Sequence, residues 1–175
     1  QRTVALGLVQ VASVRITPTP QPDAPPTEPP AQWVLPVRVD LPFEIAHIEW
    51  AGPAPVQVHA LSGHYRHDLA QHQLDIHRME LAQGQYRAQA TLQAQAPMAL
   101  QATANGQVRA TTPGPGGQAL HLSAQATLHG TLATAAAQLQ LQAQISRAPE
   151  ADAAVHTDTN AMQADISATL QPWAA

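Results

Sequence analysis

Apolar residues recur at every second position along most of this chain. Val4, Leu6 and Leu8 open the pattern loosely, and Val14 and Ile16 continue it on the same parity. From Trp33 the alternation sharpens: Leu35, Val37, Val39, Leu41, Phe43 and Ile45 share one face, with Arg38, Asp40 and Glu44 opposite. Pro36 and Pro42 lack a ladder donor, so their presence in this run predicts an edge or a bulged strand. The parity slips at Ala46-His47 and returns Ile48 and Trp50 to the inward face, as a β-bulge does. Gly52-Pro53 predicts a turn. Val56, Val58 and Ala60 follow, and a second slip brings in Leu61. Leu74 and Ile76, then Met79 and Leu81, form another strand with one irregularity.

The second half is more regular. After a turn at Gln83-Gly84, Tyr86, Ala88, Ala90, Leu92, Ala94 and Ala96 alternate with Arg, Gln and Thr. The same grammar carries Leu100 to Ala110, Leu120 to Leu132, Ala137 to Ile145 and Met162 to Leu170, with the loop Pro113-Gly114-Pro115-Gly116-Gly117 between the first two. Ala, Leu and Gln are good helix formers, and propensity alone would make much of this helical. On a helix, however, a period of two scatters Leu around every face, whereas on a strand it separates apolar from polar cleanly. The pattern therefore predicts an all-β chain, an antiparallel meander of strands joined by short turns.

The organisation read from the sequence has three parts. Residues 1–17 are the end of a preceding β-segment. Residues 18–31 are a proline-rich linker or exposed loop, extended and polyproline-II-like, because a proline-dense stretch can enter neither a sheet interior nor a helix. Residues 32–175 are the antiparallel repeat region.

Composition changes what such a sheet can be. Of 175 residues only 11% are charged and 3% aromatic, about a fifth are Ala, and Gln takes about an eighth. The eight cations are all Arg, and the net charge of -4 leaves no basic patch for nucleic acid. No apolar run reaches the roughly 18 residues of a membrane-spanning helix. Cysteine is absent, which excludes disulfides, cysteine-ligated zinc and thiol catalysis. The chain opens on Gln1 with no signal-like segment and reads as a piece of something larger.

A sheet with one apolar face must cover it, close on itself, or bind something apolar. Ala at about half the inward positions, with few rings, fills a sandwich core poorly. Small inward side chains instead leave a long dry groove, in which each methylene withdrawn from water contributes about 0.8 kcal/mol. An outer-membrane barrel also alternates, but it needs aromatic girdles. Trp33, Trp50, Trp173, Tyr65 and Tyr86 are too few and too irregularly placed for that.

Nine His raise a metal-binding alternative, with His64, His67, His72 and His77 around a hairpin turn. No spacing there repeats a known site and no carboxylate cluster completes one, so solvated polar-face His is the expectation, with no metal and no catalytic residue assigned. His121 and His129 lie on one face but roughly 26 Å apart along a strand. Ser62-Gly63-His64 lacks a nucleophile elbow, and Gly114-Pro115-Gly116-Gly117 is not a phosphate loop.

The stretches Leu41-Pro42-Phe43-Glu44-Ile45, Ile48-Glu49-Trp50, Leu61-Ser62-Gly63-His64-Tyr65-Arg66 and His72-Gln73-Leu74-Asp75-Ile76-His77-Arg78-Met79-Glu80-Leu81 resemble the repeat grammar of the TamB family, translocation and assembly module subunits of the AsmA-like, bridge-like lipid transfer group. Gly84 to Leu92 and the closing Ala168 to Ala175 resemble it too, so the resemblance covers roughly residues 33–175. It implies a segment of a long periplasmic sheet, curled into an open U-shaped (β-taco) groove that carries phospholipids toward the outer membrane. It also implies an inner-membrane anchor and an outer-membrane Omp85-type partner, TamA, reached through parts not recognisable here, with neighbouring β-segments of the same longer chain alongside. On this reading Leu92, Leu100, Val108, Leu120, Leu122, Leu128, Leu132, Leu139, Leu141, Ile145, Ile166 and Leu170 line the groove against phospholipid acyl chains, with no cofactor. The alternative is a β-rich scaffold for outer-membrane protein or autotransporter assembly that works through its strand edges without carrying lipid.

Overall fold

The structure, a computed structural model, describes residues 3–18, 31–109, 121–134, 136–147 and 163–172. Its strands are β1 (Thr3–Ala5), β2 (Val9–Ile16), β3 (Arg38–Trp50), β4 (Val56–His67), β5 (Gln71–Leu81), β6 (Gly84–Gln93), β7 (Ala99–Arg109), β8 (His121–Thr131), β9 (Leu139–Arg147) and β10 (Gln163–Leu170). All ten belong to one sheet, and no helix is present among the described residues. The period of two has overridden the helix propensity of Ala, Leu and Gln: packing of a one-sided face decides the element, and propensity is the weaker term.

From β3 to β10 the order is sequential and antiparallel. The other edge departs from a pure meander. Both β1 and β2 pair with β3 in parallel, Val4 beside Val39 and Val11 beside Ile45. The sheet is therefore mixed, and residues 3–16 are its first edge. The parallel ladder breaks between Ala5–Asp40 and Val9–Phe43, opposite Leu41 and Pro42. Pro42, with no N–H to donate, sits in β3 where the neighbour on that side steps away. Strands touch only their ladder neighbours, and β1 and β10 do not meet. The sheet is open and a single layer thick among the described residues.

The slips of parity are real and they line up. In β3 and β4 they fall together at Ala46-His47 and His59-Ala60, with Ala60 at φ 50, so the register of the pair survives. In β5 two residues, His77 and Arg78, oppose Arg87 alone between the pairs Ile76–Ala88 and Met79–Tyr86. The step from Val11 to Val14 in β2 follows the same line. A seam of irregularity thus crosses β2 to β5 and stops at β6, which alternates without interruption.

One end of the sheet is capped. The expected strand start at Trp33 is not observed: β3 begins at Arg38, after Pro36. Residues 32–35 instead fold back over the sheet end, where the Trp33 N–H donates to the Ala94 carbonyl at 2.7 Å and Gln32 bridges to Gln95. The buried apolar residues of the described chain, Ala94, Met98, Ala137 and Leu139, lie toward this same end of the sheet. Gly130 makes room for the return into β9: it has φ +157, and a Cβ there would strike the Gln138 carbonyl. The core is thus a plug at one end.

Candidate functional site

Residues directly opposite across a ladder share a face, and the registers assemble one apolar face from β3 to β10. At the capped end a row runs Val39, His67, His72, Leu92, Leu100, Gly130, Leu139, Leu170. The next row includes Leu128 and Leu141, opposite one another. Toward the middle, Ala88, Ala104, Ala126 and Ala143 stand side by side on β6 to β9, stopped by Ile76 on β5 and Ile166 on β10. Gly106 and Ala124 continue the low ground beside them, and Val108 and Leu122 raise the far rim.

The result is a row of side chains no longer than a methyl across four strands, flanked on one side by Ala90, Ala102, Leu128 and Leu141 and on the other by Tyr86, Gly106, Ala124 and Ile145. At about 4.8 Å per strand, the outer alanines lie about 14 Å apart. The face is half-buried along β6 to β9, whereas the Gln side chains opposite are exposed. No second layer covers it among the described residues. Ile166 and Leu170 on the open edge are 51% and 47% exposed.

The structure places Leu92, Leu100, Val108, Leu122, Leu128, Leu139, Leu141, Ile145, Ile166 and Leu170 on this face, mostly as shoulders and end-stops of the trough. Leu132 lies just past β8 at the capped end, and Leu120 lies outside the described residues. The floor of the trough, Ala88, Ala104, Ala126 and Ala143, was not singled out from sequence. Alternation puts each alanine on the apolar side, but only the register aligns the four.

Two rings lie flat on the same face. Phe43 faces Gly63 across β3–β4, and Tyr86 faces Gly106 across β6–β7. In each pair the ring occupies the space that a Cβ on the glycine would need. The aromatics therefore cover backbone and do not stand up into the groove.

The histidines around the β4–β5 hairpin are divided between the faces. His64 is on the polar face, 2.6 Å from Asp40. His67 and His72 are on the apolar face, buried and stacked at 4.3 Å. Their tautomers follow from their partners. The Leu35 N–H donates to His67 Nε2 at 3.3 Å, so His67 Nδ1 carries the proton and donates to the Gln71 carbonyl. His72 Nε2 donates to the Trp33 carbonyl at 2.5 Å, and its Nδ1 accepts from the Tyr65 hydroxyl at 2.6 Å. Both rings are engaged through both nitrogens in holding the strap. Burial raises the Tyr65 pKa above its ordinary value. Among the described residues no group of three or more His, Asp or Glu converges on one point, and no helix is long and apolar enough to cross a membrane.

No protein-family model, no curated protein and no solved structure matches this chain.

Proposed function

We propose that this chain is a segment of a longer periplasmic protein whose apolar β-groove carries phospholipid acyl chains between the inner and outer membranes, as its resemblance to the TamB family implies. The observation that carries the reading is the alanine trough Ala88-Ala104-Ala126-Ala143, flanked by Leu128 and Leu141 on β8 and β9 and, among the described residues, uncovered on an open, one-layer sheet. A face of this kind binds by area alone. At about 0.8 kcal/mol per methylene removed from water, a dozen methylenes give a gross gain of about 10 kcal/mol before ordering costs. The anchor in the inner membrane and the outer-membrane partner TamA belong to the same proposal and to parts of the protein beyond these residues.

The open edges favour a second reading, the assembly scaffold. Among the described residues β10 leaves a ladder side unpaired with Ile166 and Leu170 exposed, a template for strand addition. Native mass spectrometry of the chain purified in the presence of phospholipid separates the two. Lipid adducts that disappear in Ala104→Arg support carriage. A lipid-free chain that instead retains unfolded barrel precursors supports the scaffold and overturns carriage.

A further inference from the structure

We propose that the β3–β4 hairpin tip, Trp50 to Val56, docks this chain on the surface of a phospholipid bilayer. The tip reads Trp50-Ala51-Gly52-Pro53-Ala54-Pro55-Val56. Its side chains carry no charge and, apart from the indole N–H, no hydrogen-bonding group. A turn that faces water is ordinarily built from Asn, Asp, Ser, Gly and Pro, most of them polar. Here Pro53, Ala54, Pro55 and Val56 are all exposed. The neighbouring strand enlarges the patch. Ile16, Trp50 and Val56 are ladder partners in one row, and they are 42%, 42% and 40% exposed. The Ala51 N–H donates to the Ile16 carbonyl at 2.9 Å and ties β2 to the tip. The strap caps the other end of the sheet, whereas this row is uncovered among the described residues.

The chemistry of the tip selects a lipid surface. A backbone N–H that loses water at a bilayer interface costs free energy unless it is paired. Pro53 and Pro55 have no N–H to lose. Gly52 lets the indole lie against the turn, since a Cβ there would strike Trp50 Nε1. Indole settles at headgroup level in membranes, with its rings toward the acyl boundary and its N–H toward water. Behind the tip, the next row holds Arg15 and Glu49, paired at 3.6 Å. One cation beside one anion complements a zwitterionic headgroup layer, and it supplies no net charge for attraction to an anionic one. The contact is separate from acyl-chain carriage, because the alanine trough lies on β6 to β9.

The test is cosedimentation of the 175-residue chain with phosphatidylcholine vesicles, together with a fluorescent reporter. The chain has no cysteine, so Ala54→Cys and Ala70→Cys each take a single environment-sensitive dye. Both positions are exposed and lie in the turns at opposite ends of β4. Weak, reversible binding is expected, unchanged in about 0.5 M NaCl, with a blue shift of the dye at position 54 and none at 70. Trp50→Ala and Ala54→Asp are each expected to bind about tenfold more weakly. Ala54→Asp changes only an exposed side chain, so its circular dichroism is expected to match the wild type. Ala104→Arg, which obstructs the trough, is expected to bind vesicles like the wild type, so the tip and the trough fail separately. No cosedimentation at millimolar lipid overturns the proposal, as do equal dye shifts at the two positions. Binding in Ala54→Asp equal to that of the wild type overturns it too, and so does binding that needs anionic lipid and is lost in salt. Self-association that Ala54→Asp abolishes, with no vesicle binding, assigns the tip to a second copy of the chain and overturns the lipid contact.

Discussion

Tyr86 lies directly opposite Gly106 across the β6–β7 ladder, and its ring fills the space that a Cβ on Gly106 would need. The pair keeps the floor of the face low beside Ala104 and Ala124 while covering glycine backbone that would otherwise be wet. Phe43 and Gly63 repeat the device three strands away.

Gly106→Val drives two side chains into one volume and is expected to cost about 1–3 kcal/mol. The cost belongs to the pair: in a Tyr86→Ala background the same change is expected to cost much less. A double-mutant cycle in urea checks it, and equal costs in both backgrounds contradict the account.

The β5–β6 hairpin turns on Ala82 and Gln83, both with positive φ (47 and 63). Two such residues in a two-residue loop make the turn type that favours Asn-Gly. Replacing Ala82 and Gln83 by Asn and Gly is expected to stabilise the chain by about 1 kcal/mol by removing left-handed strain from L-residues. Thermal unfolding measures it, and a lower midpoint contradicts it.

Asp68 governs an acid limb. Its carboxylate accepts the Gln71 and Ala70 N–H groups at 2.8 and 2.9 Å, which lowers its pKa below the ordinary 3.8. The stability this contributes is present above the unfolded-state pKa, about 3.9, and is lost as pH falls through the lower folded value. The group is exposed, so the effect is small. Asp68→Asn keeps an acceptor and is expected to flatten the acid slope of stability while leaving neutral stability nearly unchanged. An unaltered slope argues against it.

Tyr65→Phe removes the hydroxyl donor to His72 Nδ1 at the strap. It is expected to cost about 1–3 kcal/mol, the range for a buried group left unpaired. The raised pKa of Tyr65 means that its contribution is intact below the unfolded value of 10.0 and is lost as pH rises through the folded one. The variant is therefore expected to lose part of its alkaline limb, and Trp33 fluorescence reports the loosened strap.

Much of the sheet was legible because a one-sided face imposes its period on the sequence. The slips at Ala46-His47, Val58 to Leu61 and Ile76 to Met79 were visible as breaks in parity, and they are the seam. The strap was not legible. Trp33, Leu35 and Val37 keep the strand period, and only Pro36 marks the place where the chain turns to cap the end. The parallel edge was hidden too, since which side of β3 takes up Val9 to Ile16 depends on a connection, not on local pattern. Within the site, alternation marks the face, but the alignment of Ala88 with Ala143 needs registers that no single strand encodes.

The central claim, that the alanine trough and its shoulders hold acyl chains, is tested most directly by placing a photo-crosslinking residue at Leu128 or at Thr127, neighbours in β8 on opposite faces, and irradiating with phospholipid vesicles. The account predicts lipid adducts from position 128 and background labelling from position 127. Equal labelling at the two positions, or none at 128, contradicts it.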